Sequence, residues 1–260
     1  MELTRRRYGW ALNPSIGIKP INFFLLSCAL FLFLATNDKA QFTSAGQAKS
    51  REEFDAYLLV LSKKTPKEVI SAAGDFEQHW PHSELLGHVL ELQLNAYRLL
   101  GDSAQAIVTG EKALKVVPDN LVILSNLAYI IANSTTDAQR LAQAEEYARR
   151  ELDRSRTILI PKKISLEEWN EIRDRLGSTA HAALGLVCYK RGDVAGAIRE
   201  LETAVKVAPA PDPAHYYRLG MLYRASGNQS KAAEMLHRAA ESNDAIVRPL
   251  AERELKSMSR

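Results

Sequence analysis

Cysteine is almost absent. The 260 residues hold two, Cys28 and Cys188. Cys28 lies in a leading apolar run, and if that run is removed the remaining thiol cannot form an internal disulfide. Cys188 falls on the inner side of an expected helix, where a small apolar group suits core packing. The fold must therefore be held by burial. The roughly 220 residues that follow the leading run can bury about 70% of their unfolded surface. Signatures of catalysis are missing as well. There is no Walker loop, dinucleotide fingerprint, paired-cysteine zinc set or calcium loop, and no Gly-x-Ser-x-Gly elbow. Asp and Glu are scattered over helical surfaces, and no carboxylate pair stands out for acid–base work. His79 and His82 have a ligand-like spacing, but Pro81 lies between them and no third ligand is evident. Histidine near a helix C-terminus is favoured by the helix dipole. The expectation is a protein that is not an enzyme and has no cofactor and no metal.

Excess charge is also lacking outside the leader. Residues 1–40 carry five Lys/Arg and two Asp/Glu, which leaves 29 of each sign for residues 41–260. A neutral body argues against nucleic acid, since neutralising phosphates requires a basic surface. The stretch Arg149–Lys163 is the local exception, with Arg149, Arg150, Arg154, Arg156, Lys162 and Lys163 against Glu151 and Asp153. It reads as a solvated helix end and loop, or as a contact for an acidic partner.

What the sequence does have is a repeat. Gly185, Gly192, Ala197, Ala204 and Pro209 stand at the same mutual offsets as Gly220, Gly227, Ala232, Ala239 and Asp244, 35 residues further on. A period of this length with small residues at fixed slots signals stacked helix–turn–helix units. In the segment from Ser178, Leu184, Gly185 and Cys188 share one side of a first helix. Gly192-Asp193 forms a turn, because glycine takes the left-handed conformation that ends a helix. Ala197, Leu201 and Ala204 then recur at helical spacing. Gly185 and Ala197 let the paired helices approach closely, and larger residues fill the space around them. Pro213–Asp244 replays the pattern with Leu219, Gly220, Tyr223, Gly227-Asn228, Ala232, Leu236 and Ala239. Gly87–Asn120 does so with Tyr97, Gly101-Asp102, Ala106, Ala113 and Pro118, Leu94 replacing the first-helix glycine. Leu121–Arg156 is a fourth copy. Leu127, Ala128 and Ile131 mark its first helix and Ala144, Ala148 and Leu152 its second, with Asn133–Leu141 as an enlarged connection.

These four copies, spanning about Gly87–Asp244, resemble the tetratricopeptide repeat family. The resemblance implies an all-α fold, a right-handed superhelical solenoid of stacked helix–turn–helix repeats. The chain departs from the family at two points. The large aromatic usual early in the first helix is absent, with His181 and Tyr216 in comparable slots. Glu151 stands where a small alanine is expected.

The remaining segments complete a layout of six parts. Residues 1–45 form a targeting segment and 46–86 a degenerate leading hairpin. Residues 87–156 hold the first two repeats, 157–177 a connector and helix extension, 178–244 the third and fourth repeats, and 245–260 a capping helix. In the leading hairpin Phe54, Tyr57, Leu58 and Leu61 suit an amphipathic helix. Thr65-Pro66-Lys67-Glu68 reads as the start of a second, with Thr as cap, Pro in the first turn and Glu three residues on. Trp80-Pro81-His82-Ser83-Glu84 resembles the inter-repeat joints of exported bacterial cell-envelope repeat proteins. Ser165-Leu166-Glu167-Glu168 reads as a capping box that opens a helix running into the Ser178 copy. Val247, Leu250 and Leu255 share one side of the last helix, and end helices with a polar outer face close such arrays.

Ile21–Ala35 is almost wholly apolar and follows Arg5, Arg6, Arg7 and Lys19, which is the grammar of an export signal. The run is shorter than the roughly 18 residues of a confident membrane span. A cleaved signal, with junctions after Ala40 or Ala45, and a retained anchor are both consistent with it. Either places the basic flank inside and the repeats outside the cytoplasmic membrane, in the periplasm or anchored to its face.

The resemblance assigns the first helices to a concave face. It carries the groove positions onto Glu91, Asn95 and Arg98, then Ser125, Tyr129 and Asn133, then Leu186, Tyr189 and Lys190, and last Tyr217, Met221 and Arg224. Tyr and Arg are enriched among residues that dominate interface energy, and Asn can bond a peptide backbone as both donor and acceptor. The expected function is a non-catalytic adaptor of the cell envelope that binds another protein as a peptide or helix. An enzyme or assembly factor with its site in the 153–178 connector is one alternative. A structural protein that stacks end to end is another.

Overall fold

The computed structural model describes residues 46–160 and 164–259. The targeting segment expected over 1–45 lies outside the described residues. Among the described residues the structure is all-helical, with eleven helices and no strand. None of these helices is long and apolar enough to cross a membrane. The helices are α1 (Arg51–Ser62), α2 (Pro66–His79), α3 (Leu86–Leu100), α4 (Ser103–Val116), α5 (Leu121–Ser134), α6 (Ala138–Thr157), α7 (Leu166–Lys190), α8 (Val194–Val207), α9 (Pro213–Ala225), α10 (Gln229–Ala240) and α11 (Val247–Met258). They fall into two compact units, one of residues up to Ile123 together with 157–160 and 164–166, the other of Leu124–Arg156 and Glu167 onward.

The first unit contains α1–α4, each packed on the next. Ser50 caps α1, accepting from Glu53 N. At α2 the Thr65 side chain accepts from Glu68 N while Glu68 reaches back to the Thr65 backbone, with Pro66 in the first turn. Such a reciprocal cap satisfies two of the backbone donors a helix start leaves free. Phe76, Val89, Leu90 and Leu94 are buried. Lys112 on α4 meets Glu77 on α2 at 2.7 Å.

In the second unit α8, α9, α10 and α11 pack in succession. Ala182, Ala197, Leu201, Ala204, Leu219, Leu222, Tyr223 and Ala232 form one buried cluster, with Cys188 half-buried against it. Leu236, Ala239, Val247 and Ala251 form another that joins α11 to the last hairpin. The glycine slots are close approaches in fact. A Cβ on Gly185 would lie 2.8 Å from Leu201 Cγ, and one on Gly220 would lie 2.6 Å from Leu236 Cγ. Both contacts reach sixteen residues ahead, so one packing solution is used twice.

One turn is built three times. Gly101, Gly192 and Gly227 have φ of 76°, 83° and 82°. The next residue in each, Asp102, Asp193 or Asn228, then caps the second helix by accepting from the backbone N three residues on. The fourth connection differs from its expected form. α5 runs to Ser134 and α6 starts at Ala138, so the enlarged turn over Asn133–Leu141 shrinks to three residues. Thr135 Oγ1 accepts from Asp137 N at 3.0 Å and Asp137 Oδ1 accepts from Arg140 N at 2.8 Å, a local polar cap that needs no glycine. The capping-box segment at Ser165 does lead into one unbroken helix of 25 residues, α7.

The inner stripe of α6 also differs. Leu141, Ala144, Ala148, Glu151 and Ser155 are buried, and Leu152 is only half-buried. Glu151 is fully enclosed, and neither carboxylate oxygen has a hydrogen-bond partner. Burial pushes its pKa up to about 8, the charge of Arg156 pulling only weakly the other way. The side chain is thus held as the neutral acid at pH 7, which is how a helix of this register tolerates a carboxyl inside.

Candidate functional site

The twelve groove positions divide between the units. Glu91, Asn95 and Arg98 are half-buried on α3 in the first unit. There Glu91 accepts a hydrogen bond from Asn120 Nδ2 at 2.8 Å, which fixes its carboxylate against the start of α5.

In the second unit two of the assigned positions are corrected. Ser125 is 1% exposed and Leu186 is 7% exposed, so neither presents a surface. The reason lies in their helices. Leu124–Ala128 on α5 and Ala182–Val187 on α7 are buried without a break, and a helix apolar on most sides is covered on most sides. Tyr217 packs against the cluster that seats α11. Arg224 donates to Glu254 at 2.7 Å and to Ser257 at 2.9 Å on α11, so its charge is spent on the capping helix. Met221 is half-buried and Tyr189 is 56% exposed.

The others converge. Lys190, at the end of α7, donates to the backbone oxygens of Asn133 at 3.1 Å and Thr135 at 2.6 Å. Arg218 on α9 donates to Tyr129 Oη at 3.0 Å and to Asn133 Oδ1 at 3.3 Å, and its guanidinium lies 5.9 Å from the centroid of the Tyr129 ring. Three first helices, α5, α7 and α9, thus contribute to one surface. Arg218 was not among the sequence-assigned positions. It stands one residue past Tyr217, off the groove register, and the signal that could have found it is its place one turn after His215 on α9.

The electrostatics of this cluster are one-sided. The Lys190 pKa is lowered by partial burial and by the charge of Arg218 nearby. Every acceptor for the two cations is a neutral oxygen, and among the described residues no carboxylate pairs with either. Several other cations of the unit meet carboxylates, although Arg248 too is held by neutral oxygens, those of Ser242 and Asn243. Arg191 and Arg149 both bond Glu145, Lys231 meets Glu202 at 3.3 Å, and Arg173 meets Asp174 at 3.0 Å. Beneath the cluster sits His215, 5% exposed, its ring 6.2 Å from the Tyr129 centroid at an interplanar angle of 66°. Neither ring nitrogen has a hydrogen-bond partner. Burial pushes the ring pKa down to about 4, Asp212 opposing the fall and Arg218 adding to it.

The connector offers a cleft of about 270 Å³ in the same unit, bordered by Ser155, Arg156, Arg173, Asp174 and His181. Two of its polar pairs are internal, Arg173 with Asp174 and His181 Nδ1 with Glu200 at 2.7 Å. Among the described residues no three of His, Cys, Asp or Glu converge as a metal site.

Residues 216–245, which span most of α9 and α10, match the family model of the tetratricopeptide repeat. No curated protein matches the sequence. Among solved structures the chain is similar to MamA residues 41-end from Desulfovibrio magneticus RS-1, at 15% identity and TM-score 0.55, over 75% of this chain and 96% of that one. It is similar to the ArsTM double mutant of MamA RS-1 at 15% identity and TM-score 0.53, over 81% and 99%. It is similar to BtubC from P. vanneervenii at 21% identity and TM-score 0.50, over 67% and 71%. At these identities the likeness is one of fold.

Proposed function

We propose that this chain, whose fold is that of the tetratricopeptide-repeat proteins, is a non-catalytic scaffold that binds another polypeptide on the α5–α7–α9 surface of its second unit. The partner presents an acidic group there. One observation carries this reading: Lys190 and Arg218 lie close enough to repel one another, and both are held only by neutral oxygens. A carboxylate from outside supplies the missing countercharge and gains charge-assisted hydrogen bonds. The exposed Tyr189 ring beside Lys190 adds apolar area of the kind that anchors interfaces. Affinity in the micromolar range, about −8 kcal/mol, suits a surface of this size. The leader read over residues 1–45 supports a location outside the cytoplasmic membrane, in the cell envelope.

The test is a photocrosslinking residue placed at Tyr189 in the full-length chain in its native cells, with the same residue at the exposed Glu234 on α10 as control. Crosslinks to one partner at Tyr189, lost in the Lys190→Glu/Arg218→Glu chain and absent at Glu234, support the surface. Equal capture at both positions, or capture indifferent to the charge reversal, removes it.

A further inference from the structure

We propose that His215 is an acid-operated release for this surface: a proton on its ring drives the ring from its packed position and takes Tyr129 and Arg218 with it. The proposal rests on the reading that this surface holds the partner.

The geometry leaves a protonated ring nowhere to go. The charges acting on it come from its own segment. Asp212 at the start of α9 is engaged as the helix cap, accepting from Ala214 N at 2.8 Å, and Arg218 stands one turn ahead. From α5 it meets the Tyr129 ring edge-on. An imidazolium in this place has two N–H donors without an acceptor and a like charge a turn away. A neutral unpartnered ring is tolerable inside a protein, whereas an unpartnered ion is not. Protonation is therefore met by moving the ring into water. The Tyr129 ring then loses the contact beneath it, and the Arg218 hydrogen bonds to Tyr129 and Asn133 lose their anchor. The neutral ring is the buried form. The closed surface is accordingly present above the ordinary histidine value of 6.5 and is lost as pH falls through the window towards about 4.

The experiment uses the full-length chain and a fluorescein-labelled hexa-aspartate peptide near pH 7.5 and near pH 5, where aspartate is ordinarily ionised in both cases. The wild-type chain should lose affinity by about fivefold or more at the lower pH, and His215→Phe, which keeps a ring but takes no proton, should change by less than about twofold. Affinity that holds at low pH, or falls equally in His215→Phe, overturns the proposal. A wild-type chain that does not bind the peptide near pH 7.5 overturns the surface reading and this proposal with it. NMR of ¹³C-labelled His and Tyr separates the two. The Tyr129 ring signals should move in step with the His215 titration while helical circular dichroism stays constant. A His215 that titrates near 6.5 with Tyr129 unmoved overturns the release mechanism even where the peptide binds.

Discussion

The hairpins α9–α10 and α5–α6 occupy the same repeat slots and are closed by different chemistry. In α9–α10 the first-helix slot is Gly220, the turn is Gly227 in the left-handed conformation, and Asn228 caps the second helix. In α5–α6 the slot is Ala128, the turn contains no glycine, and Asp137 supplies the cap. Turns are thus interchangeable provided a side chain caps the helix that follows. Interiors are less so. The α10 face packs Ala232, Leu236 and Ala239, all fully enclosed, whereas the corresponding α6 face carries Glu151, which stays inside only as a neutral acid. The α5–α6 hairpin gives up stability at the inner slot that α9–α10 keeps.

Four substitutions break or sharpen this contrast. The largest effect is expected at the glycine slot of the regular hairpin. Gly220→Val sets a branched side chain against Leu236 Cγ and the Ala232 carbonyl, and should lower stability by about 3 kcal/mol in urea unfolding. The irregular hairpin should respond in the opposite sense. A carboxyl whose folded pKa is raised contributes fully below its ordinary 4.5, and that contribution is lost as pH rises to about 8. Glu151→Gln should therefore stabilise the chain by an amount on the order of 3 kcal/mol near pH 8 and leave it unchanged near pH 4.5. Equal gains at both pH values would show that Glu151 is not held neutral. Smallest are the caps: Asn228→Ala and Asp137→Ala should each cost about 1 kcal/mol, and a clear inequality would mean that the two turns are not equivalent.

The repeat hairpins were legible because small residues and turn glycines recur at fixed offsets, and both have a direct physical reading. Gly185 and Gly220 are close approaches, and Gly101, Gly192 and Gly227 have positive φ. The turn after α5 was read too long because its cap is polar and local, and Thr135 and Asp137 announce no turn on their own. On α6 the register places Glu151 in the inner alanine slot, where it is indeed enclosed, whereas Leu152, read as inward too, is only half-buried because Glu151 and Ser155 already fill that face. The surface was legible in part. Tyr129, Asn133, Lys190 and Tyr189 follow from the repeat register. Ser125 and Leu186 follow from it too, but lie on helices covered nearly all round. Arg218 lies off the register and joins the others only because α9 brings it against α5, a contact 89 residues apart in sequence.

The central claim is that two cations without a countercharge mark where the partner's acidic group docks. The most direct measurement is the affinity of the full-length chain for the hexa-aspartate peptide, compared with that of Lys190→Ala/Arg218→Ala at low salt. The account predicts micromolar binding that weakens by about tenfold or more in the double variant, with helical content unchanged. Equal affinity in the two proteins would contradict it.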